Sequence, residues 1–489
     1  ADFIRRPERA WAYVLELKPY FQEFDMINTR IICTIGPSSN RFSVLKEMYQ
    51  AGMNIVRMNM SHGDHASHLA VVEMVRQLNQ EVNYPVGLLL DTQGPEIRTG
   101  KSGMSLNEGQ PITVIVPPRV DDRDDVLFIN YPHLLSTVGI GDRITVDSGL
   151  INLKVTEKKS DQLQCVVLDG GQIKPRRHVN LPGIHVKIAA LTDKDKRDIL
   201  FGIDNDIDFI ALSFVRDKNA IFELRELLGE KSQQTKIIAK IENYEGVNNL
   251  EEIIKEVDGI MVARGDLGIE VNMEDLPAIQ RRIAYLCAIH GKSLIIATHL
   301  LESMIENPIP TRAEITDIAN AVFEEADAIM LSGETASGKH PVKAIEYMVR
   351  TASTTEQYPG AAFAQQMIRE HDLQHIASAA VHLVEDLKLK GIVTFTQGGR
   401  SAAIVSNCRP ANIKIYAFTN SAKTQKTLIL YRAVYPYLLD FEENFEETVQ
   451  NAVVSLRENG DFAPGDRVVV IHEIEAHGKL VPTIQVREI

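Results

Sequence analysis

The sequence predicts an α/β protein: a (β/α)8 barrel, a small β domain inserted into it, and a further α/β domain after it. Three observations carry that reading. Eight short apolar runs alternate with helical patterns between residues 30 and 331. Residues 95–189 contain almost no helical period. From residue 360 to the end a β/α alternation restarts. Almost wholly apolar strands separated by helices imply a parallel sheet covered on its outer face. Eight strand–helix units are the count of a closed barrel. An open doubly wound sheet is the competing arrangement.

The barrel strands are expected at Arg30–Thr34, Asn54–Met58, Val86–Asp91, Phe209–Ser213, Lys236–Lys240, Gly259–Ala263, Ser293–Thr298 and Ala328–Leu331. The helices between them show spacings of three and four. Asp217 is placed to cap a helix carrying Ile221, Leu224 and Leu228. Val247, Leu250, Ile253 and Ile254 form a second stripe. Ile279, Ile283, Leu286 and Cys287 form a third, closed by Gly291, and Ile315, Ile318, Ala319 and Val322 a fourth. Within 95–189, Ile112–Val116 and Ile151–Val155 alternate with period two, and Leu168-Asp169-Gly170-Gly171 reads as a hairpin turn. The C-terminal strands are expected at Gly391–Thr396, Ile413–Thr419 and Arg467–Glu473. The implied domains are a helical N-terminal extension (1–25), a barrel (26–94 and 190–358), the insertion (95–189) and the C-terminal domain (359–489).

Composition narrows the function. The chain has 489 residues, 52 Lys plus Arg and 66 Asp plus Glu, a net charge of −14. That balance argues against a nucleic-acid partner, which needs a basic face. No run of apolar residues is long enough to span a membrane. Cys33, Cys165, Cys287 and Cys408 lie far apart, with no CxxC motif. Their spacing favours a reducing compartment, and a cytoplasmic location is expected. The first residues carry Arg5, Arg6 and Arg9, but Asp2, Glu8 and Glu16 interrupt them, unlike a transit peptide.

In such a barrel, chemistry sits at the carboxyl ends of the strands. Those ends are polar here: Arg57-Met58-Asn59-Met60-Ser61-His62-Gly63, Asp91-Thr92-Gln93-Gly94, Lys240-Ile241-Glu242-Asn243, Arg264-Gly265-Asp266, Thr298, and Ser332-Gly333-Glu334-Thr335. Lys240 and Glu242 point to one side of an extended segment; taken alone they fit a structural ion pair as well as a site. Glu242 and Asp266 offer carboxylate oxygens to a Mg²⁺, which takes one or two carboxylates, waters and phosphate oxygens. Asn59, Ser61, Asp91 and Thr92 suit a monovalent cation. Arg57 adds a fork for phosphate. A helix starting at Gly265 would present amides to an anion. Together these groups describe phosphoryl transfer.

Two motifs are set aside. Gly333–Lys339 has the GxxxxGK spacing, but His340 stands where a phosphate loop needs Ser or Thr, and Pro341 opens a helix. His62, His65 and His68 fit a polar helix start better than a metal site.

The segments IICTIGPSS (31–39), RMNMSHG (57–63), LDTQGPEIRTG (90–100), VNLPG (179–183), IAKIENYEG (238–246), MVARGDLGIE (261–270), PTRAEITDIANAV (310–322) and MLSGETASGKHP (330–341) resemble pyruvate kinase, in order. The resemblance implies transfer of the phosphoryl group of phosphoenolpyruvate to ADP, with protonation of the enolate. It implies that the inserted domain is a lid, that the C-terminal domain binds an effector, and that the enzyme is a homotetramer. It gives Lys240 the stabilisation of the transferring phosphoryl group, and Glu242 and Asp266 the Mg²⁺ or Mn²⁺. It gives Asn59, Ser61, Asp91 and Thr92 the K⁺. Arg57 and Arg98 are implied beside phosphates, Asn59, His62, Arg98 and Arg177 beside the nucleotide, and Thr298 beside the enolate. The backbone at Gly265 and Asp266 is implied as the carboxylate cradle, and Ser332 with Glu334 as part of a proton-delivering water chain.

Some positions depart from the family. Glu96 accompanies K⁺ dependence, yet Gln93 stands where such members often carry Lys. Asp147-Ser148-Gly149, Arg176-Arg177-His178 and His299 also differ from common members. In the C-terminal domain, Thr396-Gln397-Gly398-Gly399-Arg400-Ser401 suits a phosphate, or is a plain tight turn. The later loop, Glu473–Lys479, lacks the Trp and Arg of fructose 1,6-bisphosphate-activated members, so an unspecified phosphorylated sugar is expected as effector. The competing functions are another barrel enzyme acting on phosphoenolpyruvate or pyruvate, and a silent homologue that binds metabolites.

Overall fold

The computed structural model describes residues 27–117, 126–147, 149–460, 462–476 and 479–489, so the expected helix over 1–25 lies outside the described residues. Eight parallel strands close into a barrel: β1 (Arg30–Thr34), β2 (Ile55–Asn59), β3 (Gly87–Asp91), β4 (Phe209–Leu212), β5 (Lys236–Ile241), β6 (Gly259–Ala263), β7 (Ser293–Ala297) and β8 (Ala328–Leu331). Each pairs with its neighbours in sequence order, and β8 closes on β1. Closure settles the choice against an open sheet.

Both faces of these strands are covered, which is why they read as unbroken apolar runs. Outward side chains such as Ile31, Cys33, Ile210 and Ile237 pack under the helices. Inward ones, including Ile32, Ile55, Leu89, Phe209, Ile238, Met261 and Ile295, fill the barrel interior. Ile429 and Leu430 of the C-terminal domain join that interior cluster and plug the barrel floor. The helices form as their stripes require. Asp217 caps Lys218–Leu228, accepting from the amides of Asn219 and Ala220. Leu276–His290 ends on Gly291 in the left-handed region, at φ 60°. The stripe from Val247 to Ile254 is two short helices, Tyr244–Asn248 and Leu250–Glu256.

A four-fold device locks the barrel floor. Asn54, Asp208, Asp258 and Asp327 immediately precede β2, β4, β6 and β8. Each side chain accepts the amide of the preceding odd-numbered strand: Ile31 at 2.8 Å, and Leu88, Ile237 and Leu294 at 2.9 Å each. These are the second amides of their strands; the first amides, of Arg30, Gly87, Lys236 and Ser293, bond to the backbone carbonyls of the same four residues, so no buried amide is left as a costly orphan at these strand starts. Asn54, expected inside the second strand, is therefore a cap beside it. Two of the acids also anchor the C-terminal domain. Asp327 takes both Nη atoms of Arg409, at 2.8 and 2.6 Å. Asp208 receives Lys423 at 3.0 Å and Lys426 at 3.4 Å.

The insertion is a six-stranded sheet, in the order Val179–Asn180, Arg143–Val146, Ile151–Lys158, Gln162–Asp169, Pro111–Ile115, Val126–Phe128, beside a two-stranded sheet of Met104–Leu106 and Gly171–Ile173. The expected hairpin at 168–171 does not form. Gln162–Asp169 pairs with Ile151–Lys158 and Pro111–Ile115, and Gly170 instead carries the chain across to the smaller sheet. The C-terminal sheet has five strands: Val434–Leu438, Lys414–Thr419, Gly391–Phe395 and Arg467–Ala476 in parallel, then Lys479–Glu488 antiparallel. The expected loop at Glu473–Lys479 is thus mostly strand, paired from Glu473 with Pro482 to Ala476 with Lys479. Among the described residues no helix is long and apolar enough to cross a membrane.

Asp327 is fully buried against Arg409. Removing one partner of a buried pair costs about 3–5 kcal/mol, because the other charge stays unpaired. Asp327→Ala is therefore expected to lower the thermal unfolding midpoint of the full chain by several degrees. A midpoint within about one degree of the parent would contradict the anchoring role.

Candidate active site

Side chains on a strand alternate, so the inward face of each barrel strand continues upward into polar residues. Above Ile32 comes Thr34, above Ile55 come Arg57 and Asn59, and above Leu89 comes Asp91. Ala211 leads to Ser213, and Ile238 leads to Lys240 and Glu242. The interior thus changes from an apolar lower layer to a charged upper one at the carboxyl ends.

Four ionisable groups meet there, all buried: Arg57, Asp91, Lys240 and Glu242. Arg57 Nε donates to Asp91 Oδ2 at 2.6 Å, and its Nη1 donates to Thr34 Oγ1 at 2.8 Å. Lys240 Nζ lies 3.0 Å from Asp91 Oδ1, 2.9 Å from Glu242 Oε1 and 2.9 Å from Ser213 Oγ. Two cations and two anions leave the cluster near neutral, which offsets the desolvation that a single buried charge would suffer. Burial opposes the Lys240 charge, but Asp91 and Glu242 outweigh it and hold the ammonium protonated, pushing its pKa up. Burial also opposes the Asp91 carboxylate, and Arg57 and Lys240 more than offset it, so its pKa falls. Glu242 differs: burial, reinforced by the charge of Asp266, raises it to about 7 against the pull of Lys240.

The rest of the wall includes strained backbone. Thr298 (φ 66°) and His299 (φ 55°) follow β7 in the left-handed region, and Phe214 (φ 53°) follows β4. A β-branched residue there is a genuine outlier, and such strain collects at functional sites. Arg264 holds Thr298 in place: its Nη2 donates to Thr298 O at 2.6 Å and its Nη1 to Asp317 Oδ1 at 2.7 Å. Thr298 Oγ1 in turn accepts the Gly265 amide at 2.8 Å, joining β7 to the helix Arg264–Glu270. The Phe214 amide donates to Glu242 Oε2 at 2.7 Å. A cleft of about 820 Å³ opens between this wall and the insertion, bordered by Arg143, Gly265, Asp266 and His299.

The other expected residues fall into separate groups. Asn59 pairs in register with Asp91, and its Oδ1 accepts the Ser61 amide at 3.1 Å. Thr92 Oγ1 accepts the Ser213 amide at 3.0 Å. Arg98 sits at the base of the insertion, gripped by both Glu96 oxygens at 2.7 Å and by the Arg176 carbonyl at 2.8 Å. Arg177 lies 3.5 Å from Asp147, and its Nε is buried without a partner. His62 is exposed. Glu334 accepts the amides of Leu301 and Ser332, while Ser332 Oγ is buried without a partner. Thr34, Ser213 and the Phe214 amide were not singled out from the sequence, and Arg264, noted at a polar strand end, was given no role. The inward alternation of β1 and β4 was the signal for the first two; the strained backbone leaves none.

The set-aside motifs are engaged in bonds of their own. In Gly333–Lys339 the amides of Ser337 and Gly338 bond to the Gly333 carbonyl, and Lys339 pairs with Glu306. His65 pairs with Asp198 and His68 with the His62 carbonyl. In the C-terminal turn, Thr396 Oγ1 accepts the Gly399 amide at 3.0 Å, Ser401 Oγ donates to Phe395 O at 3.0 Å, and Gly399 adopts φ 86°. Gly398 has open space around it and Arg400 is exposed.

The sequence matches the family model described as pyruvate kinase, barrel domain, over residues 26–345, and that described as pyruvate kinase, alpha/beta domain, over residues 374–481. The chain belongs to the pyruvate kinase family. It is 41% identical over 450 residues to plastidial pyruvate kinase 2 of Arabidopsis thaliana, covering 91% of this chain and 77% of that one. It is 40% identical over 452 residues to the pyruvate kinase of Geobacillus stearothermophilus, covering 90% and 77%. With that of Staphylococcus epidermidis it shares 38% over 453 residues, covering 91% and 77%.

Proposed function

We propose that this chain transfers the phosphoryl group of phosphoenolpyruvate to ADP, yielding pyruvate and ATP. The observation that carries the reading is Lys240: a protonated lysine held between Asp91 and Glu242 at the barrel mouth, beside Arg57. Both substrates are anions, and phosphoryl transfer is catalysed chiefly by positioning and charge neutralisation. Lys240 and Arg57 place positive charge against the transferring group. The Gly265 and Asp266 backbone, at the start of a helix, receives the substrate carboxylate, and Thr298 lies beside the enolate. The silent-homologue reading would have no need of this ion cluster.

The donor set fits a divalent cation. Glu242 and Asp266 oppose each other's charge, so a cation between them relieves both. Among the described residues no three His, Cys, Asp or Glu side chains gather as an all-protein metal cage. That suits Mg²⁺ or Mn²⁺, which relies on water and substrate oxygens. Bound there, the ion neutralises charge on phosphoryl oxygens. Asn59, Ser61, Asp91 and Thr92 are the residues that would hold K⁺. Asp91 already spends both oxygens on Arg57 and Lys240, so its share in that site is electrostatic first. Arg98, Arg177 and His62, with Asn59, are assigned to the nucleotide.

The domain division follows from this chemistry. Residues 95–189 act as a lid over the barrel (26–94 and 190–358), excluding water from the reacting phosphoryl group. Residues 359–489 bind a phosphorylated-sugar effector at Thr396–Ser401, where Gly398 and Arg400 are open to a ligand. We also assign the chain to a homotetramer and to the cytoplasm, the latter because its four cysteines are free thiols.

Pyruvate formation should require phosphoenolpyruvate, ADP, a divalent cation and K⁺, each omitted in turn; an unchanged rate with a large organic cation in place of K⁺ contradicts the K⁺ site. Lys240→Met should retain substrate binding, read by calorimetry, and lose most of its turnover. A rate within about threefold of the parent would remove Lys240 from the mechanism, since one charged transition-state contact is worth about 10²–10³. A panel of sugar phosphates at sub-saturating phosphoenolpyruvate should contain one that changes the rate. No response from any of them counts against the effector turn.

A further inference from the structure

The chain crosses twice between the barrel and the insertion, leaving after Asp91 and returning before the helix Asp193–Asp204. Asp195, in the first turn of that helix, is completely buried and bonded to both crossings. Its Oδ2 accepts the Thr192 amide at 3.0 Å and the Thr192 hydroxyl at 2.6 Å, on the returning chain. Its Oδ1 accepts the Gly94 amide at 3.0 Å, on the departing chain, 101 residues away in sequence. A capping box needs only the first of these contacts. The second serves no purpose for the helix.

Gly94 links this clasp to the catalytic floor. It sits at φ +74°, and a Cβ there would come within 2.8 Å of the side chains of both Ser213 and Phe214. Ser213 bonds to Lys240, and the Phe214 amide bonds to Glu242. The same loop grips the returning chain further out. Arg216 donates from Nη1 to Val186 O at 2.7 Å and from Nη2 to Ile188 O. Both crossings are thus tied to the short segment after β4 that orients the lysine and the carboxylate.

We infer that Asp195 is a positioning residue for catalysis: it clasps the two crossings to each other where Gly94 packs on the loop after β4, so that the insertion closes about a pivot fixed relative to Lys240 and Glu242. The inference rests on the reading of residues 95–189 as a lid. An Asn at this position keeps the shape but has one acceptor oxygen where Asp has two, so the Gly94 and Thr192 amides, both donors, cannot both be held.

The test compares Asp195→Asn and Thr192→Val in the full chain. Thr192→Val removes the capping hydroxyl and leaves the Gly94 contact. A positioning role predicts that Asp195→Asn loses kcat/KM by about ten- to a hundredfold, the scale of a small misplacement at a reacting centre. Thr192→Val should stay within about threefold. Amide hydrogen exchange should quicken at Gly94 and residues 189–192 in Asp195→Asn and stay unchanged in the barrel strands. Equal turnover in the two variants, or lost turnover without faster exchange at the crossings, overturns the inference. Exchange is also read with and without saturating MgATP. If the parent's insertion and crossings do not respond, the lid reading fails, and the clasp with it. If the parent responds and Asp195→Asn responds equally at full activity, the lid stands and the clasp alone is wrong.

Discussion

The upper half of the barrel depends on one buried carboxylate. Asp91 is wholly shielded from solvent, yet it is held ionised by Arg57 on one oxygen and Lys240 on the other. A buried charge survives only when paired and hydrogen-bonded. Each of the three residues is therefore conditional on the others, and their pairing is conditional on register. Asn59 and Ala211 flank Asp91 across β2 and β4. A slip of one residue along either strand would turn inward side chains outward and break the pairings. The caps Asn54, Asp208, Asp258 and Asp327 at the opposite end oppose such a slip, because each accepts one particular amide. The floor of the barrel thereby fixes the geometry of its mouth.

Two features of the mouth set it apart from an ordinary ion-pair network. The first is that Glu242, unlike Asp91, is not fully compensated. Its neighbours include Asp266 as well as Lys240, and its pKa is displaced upward rather than downward. A site one positive charge short is prepared for a cation. The second is stored backbone strain, on the order of 1–3 kcal/mol for each residue in such a conformation. Phe214 and Thr298 carry it on two sides of the mouth, and in each case the strained residue makes a bond that orients a candidate group. The Phe214 amide faces Glu242, and the Thr298 hydroxyl faces the Gly265 amide.

Much of this was legible in the sequence because burial on both faces writes itself as apolar runs. All eight barrel strands were placed within a residue or two, and three of them without error: Arg30–Thr34, Gly259–Ala263 and Ala328–Leu331. The errors have physical reasons. Asn54 read as strand because it adjoins an apolar run, whereas its amide oxygen serves the neighbouring strand. Asp169-Gly170-Gly171 has hairpin composition, but strand pairing is decided by partners far away in sequence, and Gly170 turns the chain into a second sheet. The later C-terminal loop read as loop because its polar, charged residues hide an edge hairpin. At the site, charged residues at strand ends were visible because polar groups there are conspicuous. Ser213 was not, because an uncharged residue ending an apolar strand is inconspicuous, and only its inward alternation with Phe209 and Ala211 marks it. Arg264 and Asp195 act through backbone carbonyls and amides, which no side-chain pattern reports.

The floor also gives the C-terminal domain a bonded route to the reacting centre. Gln397, in the candidate effector turn, accepts the Thr424 hydroxyl at 2.6 Å through its carbonyl. Thr424 belongs to the helix Ala422–Leu428, whose Lys423 and Lys426 pair with Asp208. Asp208 accepts the Leu88 amide of β3, and β3 ends at Asp91. Ile429 and Leu430, immediately after the same helix, fill the barrel interior. Continuity alone does not transmit anything; a ligand shifts activity only by favouring one of two arrangements along the route. Lys423 and Lys426 each hold Asp206 as well as Asp208, Asp206 at 3.2 and 3.1 Å. Asp208 is fully buried and these lysines are its counter-charges, so a movement of the helix toward Asp206 would unpair a buried carboxylate. That cost ties the position of the helix to the residue that caps β3.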